Sequence, residues 1–282
     1  MSNTTYTTPN GNLLPKEFVS AALRANLQNL PKSTVLLGNG VTLDIAECPH
    51  LLIAGATGSG KSVMLHSVIC SLLMNNGIRD ARFLLIDPKK VELSPFYDGN
   101  PLLLRPVITD TEEAIRALVD VQTEMNRRYT VMRDRKIRKW DGKRMYVIVD
   151  EFAQLVYTGG KLAQDLVANI AFLGRAAGIH IIIAVQHPTS DIVSRNITAQ
   201  ITARICLQVD KWSESQLVLG MSGAENLKGK GDAFLKAGGK TVRFQGLYID
   251  DESLDRYAHS WRAVYTEEKK TPQARLLSLL GF

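Results

Sequence analysis

The sequence predicts a doubly wound α/β domain, a mostly parallel sheet flanked by helices. From about residue 50, apolar runs without strict alternation succeed one another, with helical patterns between them, as strands covered on both faces require. One such run, Leu51–Ala54, leads into a glycine-rich loop and then an apolar helix, which is where a phosphate-binding loop must sit. Of the 282 residues 45% are hydrophobic and 22% charged, which supports a large core and argues against a disordered or coiled-coil chain.

Residues 1–14, rich in Thr, Asn and Gly, read as a frayed arm. Pro15 opens a helical pattern running to about Asn29, with Phe18, Val19, Ala22 and Leu23 on one side. Thr34–Leu37 and Val41–Leu43, joined by Gly38-Asn39-Gly40, read as a hairpin that completes an N-terminal module over residues 1–46.

The main domain is expected over 47–250, with strands at about 50–54, 82–87, 103–108, 145–149, 179–184 and 203–208. Ser62–Asn75 is apolar almost all round and predicts a buried helix. Asp110–Met132 is amphipathic, with Glu113 three residues after Asp110 as an entry cap. Leu162–Ala176 predicts a third helix. Asp232–Lys236 and Thr241–Ile249 read as a hairpin turned by Gly238-Gly239. A terminal helix, Asp251–Tyr265, and a polar stretch fill 251–282.

The longest apolar stretches, such as His50–Gly55 and Ile179–Val185, fall far short of the roughly 18 residues a spanning helix needs. The N-terminus lacks the basic start and apolar run of a secretory signal. Three scattered cysteines, Cys48, Cys70 and Cys206, form neither a disulfide framework nor a zinc pattern. Together these features predict a cytoplasmic protein with reduced thiols.

Gly55-Ala56-Thr57-Gly58-Ser59-Gly60-Lys61-Ser62 fits GxxxxGK[ST], between a strand and a helix. Glycines let successive N–H groups turn inward around phosphate oxygens, and the helix N-terminus adds favourable partial charge. Lys61 is expected at the β- and γ-phosphates of ATP, and the Ser62 hydroxyl at Mg²⁺. The strand Met145–Val149 delivers Asp150 and Glu151 at its carboxyl end. Asp150 is expected to hold the magnesium through water and Glu151 to act as general base on the attacking water.

A second strand end, Ile86-Asp87-Pro88-Lys89-Lys90, brings an acid and two lysines beside the nucleotide crevice, Asp87 chiefly as structural support, with solvated lysines after a proline stop as the other reading. Gln186, ending the strand Ile179–Val185, could contact the γ-phosphate or lytic water. Arg175, at a helix end, is either an arginine finger or ordinary helix-dipole and surface chemistry, and spacing does not separate the two.

Net charge is +6, yet the window from Arg127 to Arg144 alone carries +7, leaving −1 for the rest. That concentration suggests nucleic acid, then a subunit interface, as partner; a solvated helix end and loop accounts for it equally well.

LLIAGATGSGKS, FLLIDPKKVELSPF, EMNRRYTVM, YVIVDEFAQL, RAAGIHIIIAVQHP, ITARICLQV and KGKGDAFL, in this order, resemble the FtsK/SpoIIIE family of double-stranded DNA translocases over about residues 33–250. The resemblance implies a RecA-like motor, a ring, usually a hexamer, with duplex DNA in its pore and ATP between subunits. Lys61, Ser62, Asp150 and Glu151 match the nucleotide and catalytic positions, and Arg175 and Gln186 the trans arginine finger and the sensor. Pore loops are implied at about 187–198 and 225–230, with Arg195, Lys228 and Lys230 as DNA phosphate contacts.

The chain departs from the family in reading Gln186-His187-Pro188 where QRP is usual, and Thr198 where a lysine is common. It resembles a minimal motor without a membrane region or a winged-helix module, a form suited to a mobile element, plasmid or virus and to an accessory partner in trans. Type VII secretion ATPases, which act on protein substrates, share the fold and many motifs and are the alternative.

Overall fold

The structure, a computed structural model, describes residues 31–38 and 40–255. The helix expected over 15–29 and the continuation of the terminal helix beyond residue 255 lie outside the described residues.

The chain opens with the hairpin β1 (Thr34–Gly38) and β2 (Val41–Asp44), paired antiparallel. Next come β3 (Leu51–Ala54), α1 (Lys61–Asn75), β4 (Ala81–Ile86), the short α2 (Ser94–Tyr97), α3 (Thr111–Asp134), β5 (Arg144–Val149), α4 (Phe152–Ala177) and β6 (Ile179–Val185). The remainder is α5 (Arg195–Gln200), β7 (Ala203–Leu207), α6 (Trp212–Leu219), a 3₁₀ turn at Ala224–Asn226, β8 (Asp232–Ala237) and β9 (Lys240–Gln245).

Seven strands form one sheet in the order β4-β5-β6-β3-β7-β8-β9. From β4 to β7 all pairs are parallel, and β8 and β9 add an antiparallel edge. Because β3 lies between β6 and β7, the chain leaves it in one direction and later returns on its other side. The carboxyl ends of β3, β5 and β6 therefore meet at a switch point, where open α/β sheets bind ligands.

Two apolar cores cover the sheet faces: α1 and the β1–β2 hairpin on one side, α3 and α4 on the other. Every residue of β3 and β6 is buried, the physical reason those runs do not alternate. Helix α1 buries 12 of its 15 residues because the hairpin covers the face the sheet does not. Two serines join them: Ser67 Oγ donates to Leu36 O (2.6 Å) and Ser71 Oγ accepts from Leu36 N (3.0 Å).

Two expectations need correction. The run 103–108 is no strand but meets β4 at isolated bridges, Phe83 to Leu103 and Ile86 to Ile108. Pro106 between them has no N–H to give a ladder. Helix α4 begins at Phe152 rather than Leu162, directly after Glu151. Gly160, at φ 53° and ψ −135°, kinks it and hides the first half from a helical reading of the sequence.

The basic window is largely tied to the protein itself. Arg127 and Arg128 both donate to Glu124, Arg128 also reaches Ala177 O and Gly178 O, and both guanidinium groups lie over Trp140. Arg135 and Asp141 form a two-bonded pair at 2.8 and 2.7 Å. Among the described residues no helix is long and apolar enough to cross a membrane.

Candidate functional site

The loop between β3 and α1 is shaped by close approach. Gly58 and Gly60 have φ of 79° and 97°, and a Cβ on Gly60 would lie 2.7 Å from Gly231 N. A Cβ on Gly55 would lie 2.5 Å from Ser59 Oγ and 2.9 Å from Leu207 Cβ. Side chains are excluded there by neighbouring backbone and core.

Helix α1 starts without a side-chain cap and without an acid in its first turn. Its first N–H groups have no helical acceptor by construction, so an anion can take them. Lys61 is buried; its Nζ donates to Asp150 O (3.0 Å) and Asp150 Oδ1 (3.1 Å). An ammonium has three donors, so one remains for a phosphate.

Asp150 and Glu151 leave the end of β5 and are both buried. Asp150 Oδ2 has no partner among the described residues, a buried lone pair that needs a donor or a cation. Glu151 accepts from Lys89 Nζ at 3.2 Å and from Gln186 N at 3.4 Å. Three strand ends, those of β4, β5 and β6, thus fix one carboxylate.

Ser59 N bonds to Ala56 O within the loop (3.1 Å), while Gly231 N, from the segment before β8, bonds to Ser59 O (2.8 Å). Residues Gly229, Lys230 and Gly231 all have positive φ (73°, 49° and 90°), so the KGKGD segment coils tightly against the phosphate loop. Asp232 locks the coil, accepting from Lys228 N (2.9 Å) and from Arg243 (3.0 and 2.7 Å). The Arg243 hydrogen bonds hold its carboxyl below the usual carboxylate range.

These elements enclose a cavity of about 560 Å³, a size that accommodates a nucleotide. Ala56, Thr57, Gly58, Gly60, Lys61 and Ser62 line part of it together with Gln186 and Glu92. The structure thus brings together Lys61, Ser62, Asp150, Glu151 and Gln186 as the sequence predicts.

Asp87 stands apart from them. Its carboxylate is fully buried and accepts from the N–H groups of Lys90, Glu92, Leu93 and Ser94. By gathering the segment that carries Glu92 it shapes the wall of the crevice.

Lys230, expected at DNA, also reaches the nucleotide site. It lines the nucleotide cavity, with its backbone N 3.5 Å from Gly58 O, and its side chain is exposed, as are those of Lys228 and Arg195. Arg175 is exposed at the end of α4, just before β6 begins. It therefore sits at the amino edge of the sheet, on the order of 20 Å, the length of β6, from its own phosphate loop.

Sequence reasoning placed Lys89 beside the crevice but not on Glu151, and passed over Glu92, Leu247 and Tyr248. Lys89 and Glu92 belong to a segment whose fold becomes visible only when Asp87 is seen gathering it, and the cavity role of Leu247 and Tyr248 carries no motif.

A loop that offers free helix N–H groups to an anion, a buried ammonium behind it and a carboxylate with an unspent oxygen together define a P-loop nucleoside-triphosphatase core. The FtsK/SpoIIIE family profile matches residues 22–146. The DNA translocase FtsK of Lactiplantibacillus plantarum is 37% identical over 260 residues, covering 85% of this chain and 33% of that protein. The DNA translocase SpoIIIE of Bacillus subtilis is 36% identical over 283 residues, covering 90% and 36%. The chain belongs to the FtsK/SpoIIIE family.

It spans about a third of the length of these relatives. Among solved structures, the pCW3 conjugation coupling protein TcpA with ATPγS superposes with a TM-score of 0.73 at 26% identity, over 85% of this chain and 71% of that one. The cytoplasmic domain of the Thermomonospora curvata type VII secretion ATPase EccC gives 0.71 at 25% identity, over 89% and 34%.

Proposed function

We propose that this chain is the ATP-hydrolysing motor of a double-stranded DNA translocase, working in the cytoplasm as a ring, with six subunits the expected number. The observation that carries it is that Lys61 and Gln186 line one cavity while Asp150 bonds to Lys61 and Glu151 to the Gln186 amide, in a chain 36–39% identical to DNA translocases.

The triphosphate would lie along the Gly55–Ser62 loop, with the third Lys61 N–H and the α1 N-terminus on its β- and γ-oxygens. Lys230, beside the loop, adds positive charge to the cavity. Ser62 and the unspent Asp150 Oδ2 fit a hydrated Mg²⁺, which supplies charge stabilisation during phosphoryl transfer. Glu151, held by Lys89 and the Gln186 amide, is positioned to take a proton from the attacking water, and the neutral Gln186 side chain to register the γ-phosphate.

Arg175 is too far from its own cavity to act there, which favours action on a neighbour's nucleotide. Exposed Lys228 and Arg195 are the proposed duplex contacts.

The test is the steady-state ATPase rate with and without long duplex DNA, with Glu151→Gln as the blank. Stimulation by duplex DNA that falls as salt rises is expected. Glu151-dependent turnover that responds to an unfolded protein and not to DNA would replace this reading with a secretion motor, the function named for the EccC neighbour.

A further inference from the structure

The lining of the nucleotide cavity has two chemically different parts. One is the phosphate loop with its cations. In the other, Val63, Met64, Gly246, Leu247 and Tyr248 form an apolar wall that phosphate chemistry does not use.

Tyr248 is 69% exposed although it lines the cavity, so among the described residues most of its surface is left uncovered. Immediately before it, Gly246 lies so close to the floor that a Cβ there would be 2.7 Å from Met64 Cε. The segment is fixed despite being outside any strand. Gly246 N donates to Gly231 O (2.8 Å) and Leu247 N to Leu37 O (2.9 Å) of the N-terminal hairpin. Gly231 in turn donates its N–H to Ser59 O of the phosphate loop (2.8 Å). One residue therefore sets the distance between phosphate loop and apolar wall.

We infer that Tyr248 and the Gly246–Leu247 backbone, braced by the N-terminal hairpin, form the platform on which the nucleobase of the bound nucleotide stacks. The inference rests on the nucleotide reading above. A planar base suits this wall because an aromatic face and aliphatic edges bind any base through its π surface. The bracing also gives the β1–β2 hairpin a task in the site.

The test compares binding of MgATP with that of magnesium tripolyphosphate, which has the phosphates and no base, by titration calorimetry. Tyr248→Ala should weaken MgATP about tenfold or more and leave tripolyphosphate within about twofold of the parent. Tyr248→Phe, which keeps the ring, should bind MgATP as the parent does. Gly38→Ala is a second, remote probe: its Cβ would fall 2.1 Å from Gln245 O, displacing the wall, so it should weaken ATP and spare tripolyphosphate.

Unchanged ATP binding by Tyr248→Ala, or equal weakening of both ligands, would overturn the platform. Failure of the parent chain to bind ATP, or ATP binding unaffected by Lys61→Ala, would instead remove the nucleotide reading itself.

Discussion

Two lysines two positions apart in KGKGD have different surroundings, and the difference is set by backbone, not by charge. Lys230 adopts φ 49° between two left-handed glycines and lines the nucleotide cavity, whereas Lys228 has its N–H held by Asp232, although both side chains are exposed. Replacing Lys228 and Arg195 together by Ala should weaken duplex DNA binding and lower the slope of log affinity against log salt by about two, one per phosphate contact. Lys230→Ala should leave that slope alone and weaken nucleotide binding. Filter binding across a salt series separates the outcomes, and a slope change in Lys230→Ala would return that residue to the DNA side. Lys61, Asp150 and Glu151 were legible in the sequence because their chemistry dictates residue type, spacing and a strand end together. Asp87 was legible only as support, and the cavity position of Lys230 was not legible, because a run of three positive φ angles cannot be read from GKG.

At the level of elements, the sheet strands were readable from their unbroken apolar character, and Asp110 as the cap of α3 from its spacing to Glu113, whose N–H it accepts at 2.8 Å. What escaped reading were places where an apolar run lacks the backbone for its element, as at Pro106, or where a glycine interrupts a helix without ending it, as at Gly160. The attachment of the hairpin to α1 was also invisible, since two serines in an apolar helix suggest nothing about their partners. Ser71 Oγ accepts the buried Leu36 N–H and donates to Ser67 O. Ser71→Ala should therefore leave a buried donor unpaired and cost about 1–3 kcal/mol of stability, read as a lower urea midpoint with unchanged m. A midpoint equal to the parent's would mean that the amide finds another acceptor and that packing alone holds the hairpin.

For the whole molecule, stability should depend on pH through three buried imidazoles. Burial lowers His50 to about 3, and His66 and His180 to about 4, from an ordinary 6.5. His50 Nδ1 accepts from Ile181 N, so a proton there would set donor against donor. As pH falls below about 6.5 the unfolded chain takes up protons that the folded one refuses. Stability is therefore complete above that value and is lost down to about pH 4, by about 1.4 kcal/mol per pH unit for each histidine. Urea midpoints at pH 7.5, 6 and 5 should be level at first and then drop, and a midpoint unchanged at pH 5 would contradict neutral burial.

The sheet also separates two functions by its own length, and this bears on assembly. Glu151 lies at its carboxyl edge and Arg175 at its amino edge, so one chain cannot bring both to one nucleotide. A head-to-tail ring can, because each interface joins opposite edges of successive copies. Arg175→Ala and Glu151→Gln should each abolish DNA-stimulated turnover on its own. Mixed in equal amounts before assembly, they should regain activity, since a subunit lacking the arginine keeps its base and receives the missing guanidinium from a neighbour lacking the base. Random mixing completes roughly a quarter of the interfaces, which bounds the recovered rate if sites fire independently. A mixture no more active than its separate components would exclude a shared site, and would leave Arg175 as the cation that closes the C-terminal turn of α4.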